Sequence, residues 1–158
     1  MDEFDEKFNA IQTDIMQTVY DNIMEFDLPV EKAYIFGIIA RGANAFTGDY
    51  AYEISGEILK PEQVYAKFSD TIDLKKYDKN QLQVLNLIVD DMTELGRLFV
   101  EYDVEYPKEF HWVLNIREES MSANYEYDPK SAGDDLNYSH SDAFDDWISA
   151  EQTKLANK

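Results

Sequence analysis

The chain has 158 residues, 44% of them hydrophobic and 14% aromatic, which argues against wholesale disorder and suits one domain with a substantial core. Its 33 acidic residues outnumber 14 lysines and arginines, and the net charge of −19 argues against direct binding of nucleic acid, which needs a cationic surface. With no cysteine, the chain can form no disulfide, thiolate zinc site or cysteine nucleophile.

The first predicted element is a long amphipathic helix over residues 2–26. The apolar residues recur every three or four positions and the Asp27-Leu28-Pro29 sequence ends the pattern. The acidic N-terminus lacks the basic region of a signal peptide, and no apolar run approaches the roughly 20 residues that cross a bilayer. We therefore expect a soluble, cytoplasmic protein with no membrane partner.

A β-hairpin is predicted next. Residues 32–40 (KAYIFGIIA) form a β-branched and aromatic run of strand length, and residues 49–55 (DYAYEIS) alternate in polarity. The turn-rich sequence RGANAFTG connects them. The sequence of residues 56–77 indicates its secondary structure less clearly, and we expect a short helix after Pro61 followed by a polar loop.

A second long helix and a second hairpin follow. Leucines and other apolar residues at helical spacing predict a helix over about 79–102. Residues 110–116 (FHWVLNI) and 121–128 (MSANYEYD) alternate in polarity on either side of a four-residue turn, which predicts an antiparallel pair. His111 lies opposite in parity to the face of Trp112, so we expect it to be a surface imidazole.

The C-terminal part is predicted to be a loop and a last helix. The segment PKSAGDDLNY is rich in turn residues. Ser141 is the expected helix cap, and three aspartates follow it near the positive end of the helix, with three apolar side chains facing inward. The aspartates are Asp142, Asp145 and Asp146, and the apolar residues are Phe144, Trp147 and Ile148.

Together these elements predict an α+β fold in the order α-ββ-α-ββ-α, a single domain spanning residues 1–158. Two hairpins imply an antiparallel sheet. We expect the amphipathic helices to cover one face of that sheet.

No metal, cofactor or catalytic residue is predicted from the motifs. Counted from Asp128, an EF-hand calcium loop matches at positions one and six alone. The two histidines, His111 and His140, lie 29 positions apart with no zinc motif, and neighbouring side chains in Ser139–Asp142 point apart, unlike those of a catalytic triad. A pair of carboxylates acting in hydrolysis stays open, because acids are abundant.

The surface that we expect to bind a partner combines carboxylates with tyrosine rings near the C-terminus. Between Glu118 and Glu151 the sequence has ten acidic residues and one base, Lys130. Carboxylates attract a basic partner over long range, and tyrosines provide anchoring area. The expected partner-binding residues are Tyr125, Glu126, Tyr127, Asp128, Asp134, Asp135, Tyr138, Asp142, Asp145 and Asp146.

The segments HWVLNIREESMSANYEYD and AFDDWI resemble the second half of the YezG/EsaG-like immunity (antitoxin) protein family. In that family a strand with a tryptophan turns into a strand ending in an aromatic–acid pair, and a helix containing aromatic residues follows. The order of the earlier elements also fits, although this chain has LPVEKAY where the family pattern has a tryptophan before the first strand. The resemblance is carried by Trp112, Tyr125, Tyr127, Asp128 and Trp147.

The resemblance implies an antitoxin, not an enzyme, that neutralises a secreted polymorphic toxin in the cell that makes both. In similar members the toxin is a nuclease delivered by a type VII-like secretion system, and a nuclease has a basic cleft that an acidic surface can occupy. An acidic adaptor for another basic client and a carboxylate-dependent hydrolase are the alternatives. The acidity could also serve solubility alone, and the oligomeric state, a monomer included, stays open.

Overall fold

The first helix begins where the sequence predicts. A computed structural model describes residues 2–40 and 42–157, so that Met1, Arg41 and Lys158 lie outside the described residues. Helix α1 spans Glu3–Glu25 and is capped by Asp2, whose carboxylate accepts a 2.8 Å hydrogen bond from the amide of Asp5. The buried stripe of this helix includes Ile15, Val19 and Ile23.

Within the described residues, five antiparallel strands form a sheet in the order β3-β2-β1-β4-β5. The α+β class and both predicted hairpins, β1–β2 and β4–β5, are confirmed. The two hairpins are joined by pairing between β1 and β4, and β3 adds an edge strand in the segment that the sequence left undecided. The strands are β1 Lys32–Ala40, β2 Ala45–Ile54, β3 Glu57–Leu59, β4 Glu109–Asn115 and β5 Ser120–Glu126.

Two helices connect β3 to β4. The short helix expected after Pro61 is confirmed as α2, Pro61–Phe68. The second long helix, α3, spans Leu74–Glu101. Residues 74–77, which were expected to belong to a polar loop, therefore form the first turn of this helix, and that part of the prediction is wrong. Asp73 caps α3, and Tyr77 is buried with its hydroxyl donating a 2.8 Å hydrogen bond to the carbonyl of Pro61. This contact gives the first turn of α3 a tertiary anchor.

Strand β2 begins at Ala45, earlier than the predicted residue 49, so the sequence AFTG is strand and not turn. Gly48 pairs with Gly37 of β1, and a Cβ atom added at Gly48 would collide with the side chain of Ile88 in α3. Glycine is typical of turns, but here it lets a helix pack closely on the sheet. This explains the error in the predicted boundary.

Helices cover both faces of the sheet, which corrects the expectation that they cover one. Helices α1 and α3 bury one face, which includes Ala33, Ile35, Ile39, Phe110, Trp112 and Leu114. The last helix, α4 (His140–Ala156), packs on the other face, against Tyr34, Phe36, Ile38 and Ala51. Strand β1 is central and almost continuously apolar, as a strand buried on both faces should be.

Candidate protein-interaction site

The cap of the last helix is Ser139, not Ser141 as predicted. The Ser139 hydroxyl accepts a 3.0 Å hydrogen bond from the amide of Asp142, and the Asp142 carboxylate accepts a 2.9 Å bond from the amide of Ser139. These two bonds form a capping box, and the hydrogen bonds from Ser139 lower the pKa of Asp142. Asp142 therefore stabilises the start of α4, and His140 is the first residue of the helix.

The other two aspartates of α4 also have partners within the chain. Asp145 forms an ion pair with Lys60, next to the start of α2. Asp146 accepts a 2.6 Å hydrogen bond from the hydroxyl of Tyr138, and the ammonium group of Lys130 lies 4.4 Å from the centre of the Tyr138 ring. The Tyr138–Asp146 bond fastens the loop to α4, the Asp145–Lys60 pair joins α4 to the start of α2, and both leave less of the charge of α4 free for a partner.

Among the predicted site residues, the carboxylates without a partner lie in the loop that precedes α4. Within residues 2–40 and 42–157, the exposed side chains of Asp128 and Asp134 have no hydrogen-bond or ion-pair partner. Tyr127 is 44% exposed, and Leu136, which the sequence analysis did not select, is 97% exposed. The loop therefore offers carboxylates together with an exposed apolar side chain, the two kinds of group that protein contact surfaces combine.

Glu126 and Asp135 lie near the same loop and are partly engaged. Glu126, at the end of β5, accepts a 2.7 Å hydrogen bond from the amide group of Asn124, and Asp135 accepts a 3.0 Å bond from the backbone of Asn137. Both carboxylates retain lone pairs, since each oxygen can accept further hydrogen bonds. The two residues therefore add charge to the exposed surface.

Tyr125 is set apart from the other predicted site residues. It pairs with Phe110 across the β4–β5 hairpin and so points to the face covered by α1. Its hydroxyl donates a 2.6 Å hydrogen bond to Gln12, and its ring meets that of Phe8 edge to face at 5.8 Å. Of the two neighbouring tyrosines in the expected site, Tyr125 thus packs against the core, whereas Tyr127 is exposed.

A buried carboxylate that the sequence analysis missed holds the loop on the sheet. Glu109 of β4 accepts a hydrogen bond from the hydroxyl of Ser131, and its other oxygen lies 2.9 Å from His111 Nε2. The His111 ring stacks on Trp147 of α4 at 4.5 Å. His111 is therefore part of the packing between sheet and helix, and the expectation of a surface imidazole was wrong. Its parity predicts the second face correctly, but that face is covered.

A cavity of about 500 Å³ lies between the loop, the end of β1 and the start of α4. It is within the size range of sites that accept a small ligand or a side chain of a partner. Its lining is mixed, with apolar and polar groups contributed by Ile38, Ala40, Lys108, Leu136, Tyr138 and His140. Leu136 thus forms part of the rim of a concave surface.

The carboxylates of Asp14 in α1 and Asp91 in α3 lie next to each other between the two helices. Asp91 Oδ2 is enclosed and has no hydrogen-bond donor in the described part of the chain, and the neighbouring carboxylate is that of Asp14. Burial, followed by the contact with Asp14, raises the pKa of Asp91 to about 7. A proton shared between the two carboxylates would satisfy both. Neither residue lines the cavity beside the loop.

Replacing Asp91 with asparagine is expected to stabilise the protein at high pH. Because folding raises the pKa of Asp91 from 3.8 to about 7, the wild type loses stability as the pH rises through this interval. The advantage of Asp91→Asn should grow over that range and level off above it. Because Asp91 is half-buried, solvent screening limits this advantage to about 1–2 kcal/mol.

Urea unfolding at pH 5 and pH 8 measures this difference. Asp78→Asn, at an exposed position of α3, makes the same charge change outside the Asp14–Asp91 pair and serves as the control. An equal gain in both variants would mean that net charge, not the Asp14–Asp91 pair, is responsible.

No protein-family model and no curated protein matches this chain. Residues 2–40 and 42–157 contain no group of three or more metal-ligating side chains arranged to hold an ion. No helix within the same residues is long and apolar enough to cross a bilayer. The function must therefore be inferred from the side chains and surfaces described above.

Proposed function

We propose that this protein is a cytoplasmic immunity protein that binds a cognate toxin domain, a basic nuclease, and inhibits it. The proposal is carried by one observation. In a chain of net charge −19, the loop before α4 presents Asp128 and Asp134, whose carboxylates have no partner among the described residues, together with the 97%-exposed Leu136. Charge steers a basic partner, and an exposed apolar side chain anchors it.

The choice of a toxin among basic partners rests on the resemblance to the YezG/EsaG-like immunity family. The residues that carry this resemblance have different roles in this chain, since Trp112 is in the core, Trp147 packs against the sheet, and Tyr127 and Asp128 are exposed. The first two support the fold, and the last two belong to the loop that we propose to meet the toxin. A different basic protein could bind the same surface by the same chemistry. The experiment must therefore test inhibition of the toxin itself.

The decisive experiment is co-expression with the toxin encoded beside this gene. We expect the full chain to restore growth and, when purified, to inhibit the toxin at about one equivalent. A polyglutamate peptide of matched charge is the control, because an acidic polymer can inhibit a basic nuclease by competing for its cleft.

Two outcomes would contradict the proposal. One is the absence of rescue by a folded, expressed chain. The other is equal inhibition by polyglutamate at the same concentration, because the structured surface would then contribute nothing beyond charge.

A further inference from the structure

The loop before α4 is one side of a larger concave surface. A second cavity, of about 520 Å³, lies between the end of α3 and the start of β4. Tyr106 and Lys108 line both this cavity and the one beside Leu136, so the two are separated by a single ridge. We call residues 100–106 and 127–136 the end surface.

Apolar side chains are exposed on both sides of this ridge. Val100 is 63% exposed and Val104 is 39% exposed on one side, and Leu136 and Tyr127 are exposed on the other. Single exposed apolar residues need no explanation, but Val100 and Val104 line one of the two adjoining cavities and Leu136 lines the other. Such an arrangement offers apolar anchoring points inside a polar rim, as binding surfaces do.

The rim of the end surface is acidic. Exposed carboxylates lie on both sides of the ridge: Glu101, Asp103, Glu105, Asp128, Asp134 and Asp135. The two lysines described in this region have partners within the chain, since Lys108 Nζ donates a 3.1 Å hydrogen bond to the carbonyl of Tyr127 and Lys130 lies over the Tyr138 ring. Among the described residues of this region, six exposed carboxylates thus outnumber two lysines.

The backbone of the end surface is held in place before any partner arrives. The Val104 amide donates a 2.9 Å hydrogen bond to the carbonyl of Phe99, and the Lys108 amide donates a 2.8 Å bond to the carbonyl of Glu126. Glu109 fastens Ser131 on the other side of the ridge. A surface fixed in this way loses little conformational entropy when a partner binds.

We propose that the end surface is the docking site of this protein, and that its occupant is a basic protein segment with apolar side chains in both cavities. The segment would carry arginine or lysine next to these anchors, to meet the carboxylates of the rim. This inference rests on the proposed function for the identity of the natural partner, but the chemistry of the surface can be tested without it. It adds the α3–β4 connection to the expected site and leaves out Tyr125, Glu126, Tyr138 and the three aspartates of α4.

The probe is a synthetic peptide of alternating arginine and leucine, added to the ¹⁵N-labelled full chain and followed by NMR. We expect salt-dependent chemical-shift changes concentrated at residues 100–108 and 127–138. The double variant Val104→Ser/Leu136→Ser should weaken binding at least about tenfold. Leu82→Ser, at a 61%-exposed leucine elsewhere on α3, is the matched control and should change affinity by less than about twofold.

Shifts spread over all acidic surfaces would overturn the proposal, as would equal effects of the control and double variants. Absence of binding at millimolar peptide concentrations would also overturn the proposal. The toxin assay separates this proposal from the proposed function. If growth is not rescued but the shift changes map to the end surface, the proposed immunity function is contradicted and the docking site is supported. If growth is rescued and the double variant inhibits as well as the wild type, the docking site is wrong and the function stands.

Discussion

Replacing Trp112 with alanine is expected to lower the free energy of unfolding by about 3–5 kcal/mol, the range for truncating a buried large aromatic side chain. Trp112 is fully buried beneath α1 and stacks on Phe110 at 5.3 Å. Its indole nitrogen also donates a 2.8 Å hydrogen bond to the buried Gln12. The alanine variant loses the packing and this bond together. Urea unfolding followed by circular dichroism measures the loss.

Trp112→Phe separates the two contributions. Phenylalanine fills much of the same space but has no donor, and Gln12 Oε1 still accepts the 2.6 Å bond from Tyr125. We therefore expect a smaller loss, about 1–2 kcal/mol from the missing hydrogen bond and the reduced volume. If Trp112→Phe is as unstable as Trp112→Ala, packing is not the main contribution of this side chain.

Hydrophobic periodicity was sufficient to predict the class of this fold and most of its elements. Periods of 3.6 and 2 report which side of a helix or strand is buried, and they do not depend on what covers it. The boundaries failed where a residue serves a tertiary contact. Gly48 reads as a turn residue but makes room for Ile88, and Tyr77 extends α3 because it is buried against α2.

The sequence does indicate that both faces of the sheet are covered, although the prediction allowed for one covered face. The run KAYIFGIIA is apolar at both parities, which indicates a strand buried on both sides. The position of α4 on that face brings His111 against Trp147 and away from solvent. The alternation of residues along β4 could place His111 on one face of the sheet but could not show that α4, which begins 29 positions later, covers that face.

The predicted site is only partly one surface, because carboxylates were selected by their number and not by their partners. Asp142 and Asp145 are occupied by the helix cap and by Lys60, and Asp146 by Tyr138. A capping box can be read from Ser139-x-x-Asp142, but the choice between Ser139 and Ser141 requires the backbone conformation. The lone leucine in GDDLNY was the available signal for an exposed apolar anchor.

The contact that organises the candidate surface is the buried carboxylate of Glu109, which is 6% exposed. One oxygen accepts a hydrogen bond from the Ser131 hydroxyl, and the other lies 2.9 Å from Nε2 of His111, whose ring stacks on Trp147. A single side chain therefore links the loop, the sheet and α4. Burial makes this link strong, because a polar group that loses its partner here has no water to replace it.

Glu109→Ala is accordingly expected to release the loop and weaken partner binding. The variant leaves Ser131 and His111 without their acceptor, at a cost of about 2–3 kcal/mol, and hydrogen exchange should accelerate at residues 129–138. Toxin or peptide affinity should fall about tenfold or more, since the loop must then be ordered on binding. Glu109→Gln can still accept from His111 and donate to Ser131, so it should keep the loop protected. If the glutamine variant exchanges as fast as the alanine variant, hydrogen bonding by residue 109 is not what holds the loop.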